Sequence, residues 1–290
     1  MSLRKALQSN DFLVTAEINP PKGIDASAAI ENVRKIKDLV AAVNITDNSA
    51  AAMKMASLPL SYLIQRETGV EAIWQITCRD RNRLALQSDL LGGAALGLSN
   101  LLVLKGDPPQ EPVKEEKCFD LGTEDLLAII AGLKEGKDHE GKELKQGAPD
   151  FCIAAAAHPG LPDLKAQRET MERRVGLGVE FFQTQICFER EQIDRFVESI
   201  GEELASKTIL GITPLKSLKS AQFMNKNIFG VTVPEADMKV IEAAEDQAAA
   251  GLELSKKLVE HIKSSPLAGV HVMAIGQEKL LDQIITKING

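Results

Sequence analysis

Residues 71–106 read EAIWQITCRDRNRLALQSDLLGGAALGLSNLLVLKG. An apolar, β-branched run at 71–78 gives way to apolar residues at helical spacing over 83–97, and a second apolar run follows at 100–106. Strand, helix and strand at intervals of about 30 residues form a βαβ unit. The alternation extends in both directions. Further strand-like runs are FLVTAEI (12–18), AAVNIT (41–46), FCIAAAA (151–157), FFQTQICF (181–188), TILGIT (208–213) and GVHVMAI (269–275), with helical spacing at 28–40, 169–178 and 189–205. Most of these runs are apolar on both faces, as in a parallel sheet covered by helices. Eight such units in 290 residues fit an α/β fold of the (β/α)8 TIM-barrel type. The alternative, an open doubly wound sheet, usually carries a GxGxxG turn after its first strand, and here that turn is NPPKG (19–23).

The expected organisation is a single domain over 1–290. It has a longer insertion at about 108–149 that holds one helix near 123–134, and an extended segment at about 214–268 that ends in a long helix over about 235–263. With 44% hydrophobic and 26% charged residues the chain can bury a sizeable core, so a disordered or fibrous protein is excluded. The net charge is −7 and no Lys/Arg cluster alternates with aromatics, which argues against nucleic acid. No apolar run approaches the roughly 20 residues of a membrane span, and the N-terminus lacks a signal-peptide pattern, so a cytoplasmic protein is expected. Cys78, Cys118, Cys152 and Cys187 are far apart with no metal-ligand spacing, and no metal site is expected.

In a (β/α)8 barrel the active site is built where the strands end. The polar groups there are Glu17, Asn19, Thr46, Asp47, Thr77, Asp107, His158, Gln183, Gln185 and Thr213. Taken singly, Thr46, Asp47 and Thr77 also read as helix caps, and Asp107 before Pro-Pro as a turn residue. His158 before Pro159 is equally a packed loop histidine or a ligand-facing one. Glu17 is different: Glu is neither a favoured cap nor a turn former, its strand is otherwise apolar, and Pro20 and Pro21 stop that strand just beyond it. Gln183 and Gln185 are two apart and share one strand face, where amides suit a heterocycle with alternating donors and acceptors, such as a pterin or a flavin. Of Arg173 and Arg174, one is placed to reach a cofactor phosphate while the other is solvated.

Four stretches, AEINPPKG (16–23), TCRDRNRLALQSDLLGGAALGLSNLLVLKGDPP (77–109), RRVGLGVEFFQTQICFE (173–189) and GITPLKSLKSAQFMN (211–225), resemble in order and spacing the methylenetetrahydrofolate reductases, flavin-dependent (β/α)8 barrels. The resemblance implies reduction of 5,10-methylenetetrahydrofolate to 5-methyltetrahydrofolate in one-carbon metabolism. Glu17 would be the general acid toward folate N10, Asp107 a catalytic group near flavin and pterin, and Gln185 with Gln183 the substrate contacts. Thr46, Lys105, Gly106, Asp107, His158, Arg173 and Arg174 would hold the flavin.

Three departures accompany the resemblance. Leu218 stands where relatives that use a nicotinamide directly carry an aromatic, so NAD(P)H as the immediate electron donor is left open beside an electron-transfer partner subunit. EINPP replaces EFFPP, and His158 replaces a tyrosine, which leaves FMN beside FAD. The regulatory domain of eukaryotic relatives is not matched, so adenosylmethionine control is not expected. A homo-oligomer is a further expectation, and a flavin-free, methyltransferase-like pterin barrel is the remaining alternative.

Overall fold

A computed structural model describes residues 2–9, 11–109 and 120–289. Cys118 lies outside the described residues, as does part of the 108–149 insertion. The strands are β1 (Leu13–Ile18), β2 (Ala42–Ile45), β3 (Ala72–Thr77), β4 (Asn100–Leu104), β5 (Cys152–Ala157), β6 (Val179–Ile186), β7 (Thr208–Ile212) and β8 (Gly269–Val272). They are parallel and close in chain order, β8 pairing with β1, into a barrel. The (β/α)8 architecture expected from the sequence is therefore the observed one. Closure requires Gly269: a Cβ there would lie 2.0 Å from the carbonyl oxygen of Leu13, its partner in register. The intervening helices are α1 (Leu3–Gln8), α2 (Ser27–Ile36), α3 (Ser57–Thr68), α4 (Arg83–Ala95), α5 (Thr123–Lys134), α6 (Leu164–Gly176), α7 (Arg190–Ile200), α8 (Glu202–Ala205), α9 (Leu218–Asn227), α10 (Glu235–Ala243), α11 (Gln247–Lys263) and α12 (Leu281–Asn289). Among the described residues no helix is long and apolar enough to cross a membrane.

The apolar runs form strands because both faces are covered. The outward face packs under the helices, with Trp74, Val103, Phe182 and Val270 in one continuous cluster. Gly93 of α4 belongs to this layer, since a Cβ there would lie 2.5 Å from the Trp74 ring. The inward face fills the barrel floor with Leu13, Ile73, Leu102, Phe181 and Ile209, on which α1 places Leu3 and Ala6. Each such buried aliphatic or aromatic side chain contributes about 1.5–3 kcal/mol. α1 is pinned from outside by Arg4, which donates to Glu180 of β6 at 2.9 Å and to Asp150 at 2.8 Å.

Two helices expected as continuous are broken. The helix expected at 235–263 divides into α10 and α11 because Asp246 starts a new helix, its carboxylate accepting from the Ala249 amide at 3.0 Å as an N-cap. The run at 189–205 divides at Gly201, whose φ of +80° leaves the helical region. The segment after β7 also carries a small apolar cluster of its own, with Leu215, Met224, Val231 and Ile241 closing against Ile186 and Phe188.

Candidate active site

A cavity of about 760 Å³ opens at the C-terminal ends of the strands. Glu17, Lys105, Gly106, Asp107, His158, Arg174, Gln183 and Gln185 all line it. Thr46 and Arg173 are not among its lining residues. The Thr46 hydroxyl donates to Asn19 Oδ1 at 3.1 Å, and exposed Arg173 donates to Thr170 Oγ1 at 2.9 Å.

Glu17 reaches the cavity because Thr15 and Glu17 share the inward face of β1. Its Oε1 accepts one long contact, from Asn19 Nδ2 at 3.5 Å. Burial raises its pKa from an ordinary 4.5 to about 7; the Lys54 charge and the Asn19 contact oppose that rise, while Glu278 adds to it. Lys54 Nζ donates to Asn19 Oδ1 at 2.9 Å and to Ser49 Oγ at 3.2 Å, so the loop after β2 is tied to the end of β1. That loop holds Asn48, Ala50 and Ala51 at positive φ, a conformation that L residues other than Gly adopt at a cost. The Ala50 amide donates to Asp107 Oδ2 at 2.6 Å.

The turn after β4 is shaped by Gly106, with φ +94° and a Cβ position only 3.1 Å from Arg79 Cβ and 3.2 Å from Thr77 Cβ. Glycine there lets Lys105 and Asp107 turn over the cavity without pushing β3 away. The carbonyl of Asp107 accepts from Arg79 Nη1 at 3.2 Å.

On the opposite wall, Asp163, Gln167, Thr170 and Arg174 line the cavity at helical spacing along one face of α6 and its N-cap. This periodicity separates Arg174 from solvated Arg173. Arg174 is held by Glu124 at 3.0 Å and by the Ala156 carbonyl at 2.9 Å. Burial, and then the nearby Arg174 charge, push the His158 pKa below its ordinary value, which favours the neutral imidazole.

Four glutamines present amides to the cavity. Gln183 Oε1 accepts from Asn44 Nδ2 at 2.6 Å and Gln185 Oε1 accepts from the Ile186 amide at 2.9 Å, leaving the NH2 group of each for a ligand. Gln75 and Gln167 are buried cavity-lining residues whose side-chain amides have no hydrogen-bond partner among the described residues. Sequence reasoning missed both. Gln75 carried a signal, since it shares a strand face with Thr77 inside an otherwise apolar run.

Asp47, which reads as a cap in the sequence, is a buried carboxylate in the cavity wall. It accepts from the Thr77 amide at 3.0 Å, Thr77 Oγ1 at 2.9 Å and two Arg81 nitrogens at 2.7 and 3.3 Å. One layer below the cavity, His271 Nδ1 pairs with Thr15 Oγ1 at 2.9 Å, while Nε2 has no partner among the described residues. Burial pushes the pKa of this histidine down to about 3.

Comparison with known proteins adds the family. A phosphonopyruvate hydrolase solved with oxalate and magnesium is similar in fold alone, with a TM-score of 0.52, 13% identity, and coverage of 98% of this chain and 84% of that one. In sequence, the chain is 21% identical over 265 residues to methylenetetrahydrofolate reductase 2 of Schizosaccharomyces pombe, covering 83% of this chain and 39% of the relative. It is 23% identical over 296 residues to 5,10-methylenetetrahydrofolate reductase of Salmonella typhimurium, covering 96% of this chain and 93% of the relative. The chain thus spans about two fifths of the length of the yeast relatives it matches, at 39% and 41%, and most of the Salmonella one, at 93%. The family model for methylenetetrahydrofolate reductase matches residues 2–289, taking in every strand of the barrel and every cavity-lining residue described above, and the chain belongs to that family.

Proposed function

We propose that this chain reduces 5,10-methylenetetrahydrofolate to 5-methyltetrahydrofolate with a flavin as cofactor and Glu17 as the general acid. The observation that carries the proposal is Glu17 itself, a carboxyl at the cavity wall whose burial raises its pKa to about 7. A general acid works best when its pKa is near the operating pH, because it then holds a proton and still releases it readily. Donation from Glu17 to folate N10 opens the five-membered ring and leaves an iminium at N5, whose exocyclic carbon is the hydride acceptor. A reduced flavin, when bound, would supply that hydride.

The residues present fit such a group. A cavity of about 760 Å³ lies within the range of cofactor and ligand sites. The amides of Gln75 and Gln167, unpaired among the described residues, supply donors and acceptors for a heterocycle edge, and Arg174 supplies a fixed cation for a phosphate. Lys105, Gly106, Asp107, His158 and Arg174 would hold the flavin, as FAD or FMN. Thr46 and Arg173 would support them from behind, through Asn19 and Thr170. Gln183 and Gln185 would bind the pterin, and Asp107 would orient flavin and pterin against each other. In the test, Glu17→Gln retains flavin, measured by its visible absorbance, and loses folate turnover. Near-normal turnover by this variant would overturn the assignment.

Leu218 favours a second reading for the electron source. It begins α9, donates its amide to Gln247 Oε1 at 3.0 Å and packs against the apolar cluster of that segment, so it offers no aromatic platform to a nicotinamide. On this reading a partner protein reduces the flavin. Rapid bleaching of the isolated yellow protein by NADH excludes it.

A further inference from the structure

Glu17 borders two cavities. Behind the large one lies a second, of about 140 Å³, between the end of β1, α2 and the turn after β8. Its polar lining is Asn19, Asp25, Asn32 and Glu278, with Ala28 and Ala29 on the α2 side. That size and polarity suit ordered water. Glu278 is exposed, and its Oε1 accepts from the Gly276 amide at 3.0 Å, which fixes the carboxylate at the outer end of the small cavity. The charged and polar groups acting on Glu17 come from three directions: Lys54 from the loop after β2, Asn19 from the end of its own strand, and Glu278 from beyond β8. Asp25, in the loop before α2, faces the small cavity beside them.

We propose that the small cavity is the route by which solvent protons reach Glu17 while the large cavity is filled, with Glu278 as the relay at its outer end. The inference rests on Glu17 being the acid, since an acid that gives up a proton in each turnover must regain one. The O–H bond of the Glu278 carboxyl breaks and an O–H bond forms on the Glu17 carboxylate through intervening water. Glu278 is then reprotonated by hydronium or a buffer acid.

The test uses the holoenzyme and three variants. Glu278→Gln keeps the oxygen that accepts from Gly276 but cannot relay a proton, and Ala28→Met plugs the cavity from the surface of α2. Both should lower turnover several-fold above pH 7 and enlarge the solvent deuterium isotope effect. Formate should restore Glu278→Gln in proportion to its concentration and leave Ala28→Met slow. Independently of activity, the 13C titration midpoint of Glu17 should fall in Glu278→Gln, because a negative neighbour has been removed. Wild-type turnover and isotope effect in both variants would overturn the route. Glu17→Gln separates the two claims: normal turnover there removes the acid itself, whereas an inactive Glu17→Gln beside normal Glu278→Gln and Ala28→Met removes only the relay.

Discussion

Neighbouring strands β1 and β2 each end in a carboxylate that faces the same cavity, and the two are treated in opposite ways. Asp47 gathers four hydrogen bonds from Thr77 and Arg81, whereas Glu17 receives one contact at 3.5 Å. The first arrangement stabilises a fixed negative charge within the wall. The second leaves a carboxyl that burial keeps protonated up to about pH 7. Residue type therefore does not assign the role of an acid in this site. The donors brought to it by other strands and loops do.

Removing the acid should produce the largest effect. Glu17→Gln should lower turnover by about 10²–10⁴-fold, the usual contribution of a positioned general acid, in a steady-state folate assay. Asp47→Asn probes the other carboxylate. It removes the buried partner of Arg81, which keeps only Asp89 at 2.9 Å, and should cost about 3 kcal/mol of stability, the low end for a broken buried pair, read by urea unfolding, with flavin content falling in parallel.

Glu17 should also cost stability where Asp47 provides it. Its pKa is raised from 4.5 to about 7, so between those values the folded state holds a proton that the unfolded chain releases. The penalty is absent below pH 4.5, grows through that window and is complete above pH 7. Glu17→Gln should therefore match wild type in urea unfolding at pH 4.5 and exceed it by up to about 3 kcal/mol at pH 8. The smallest effect belongs to Lys54→Met. It removes the cation that favours ionised Glu17, so the Glu17 midpoint should move further upward in a 13C titration and the pH profile of turnover should follow it.

The barrel was legible because its strands are apolar runs punctuated at regular intervals, a local property of the chain. Glu17 and the glutamines of β6 stood out because each is polar inside such a run. The helix breaks at Asp246 and Gly201 were missed because amphipathic spacing continues across both, and a cap or a single positive φ interrupts it without changing composition. Asp47 reads as a cap in the sequence because its partners, Thr77 and Arg81, lie 30 and 34 residues away. The link from Lys54 to Asn19 spans 35 residues and left no local signature either. Arg174 was separable from Arg173 by the helical spacing of Asp163, Gln167 and Thr170, although the face of α6 that meets the cavity became known only with the fold.

The floor of the barrel sets an order of events. α1 precedes β1, yet Arg4 finds Glu180 only 176 residues later, and Leu3 rests on side chains from strands as late as β7. The early strands offer part of the surface, through Leu13, Ala42, Ile73 and the Glu71 carboxylate that accepts from the Leu3 amide, but the surface is complete only once the later strands are in place. Long-range contacts of this kind slow folding because loop closure precedes the reward of burial. This helix, which precedes β1, is thus among the last elements of the barrel to dock fully, and its attachment reports that the ring of strands above it has closed.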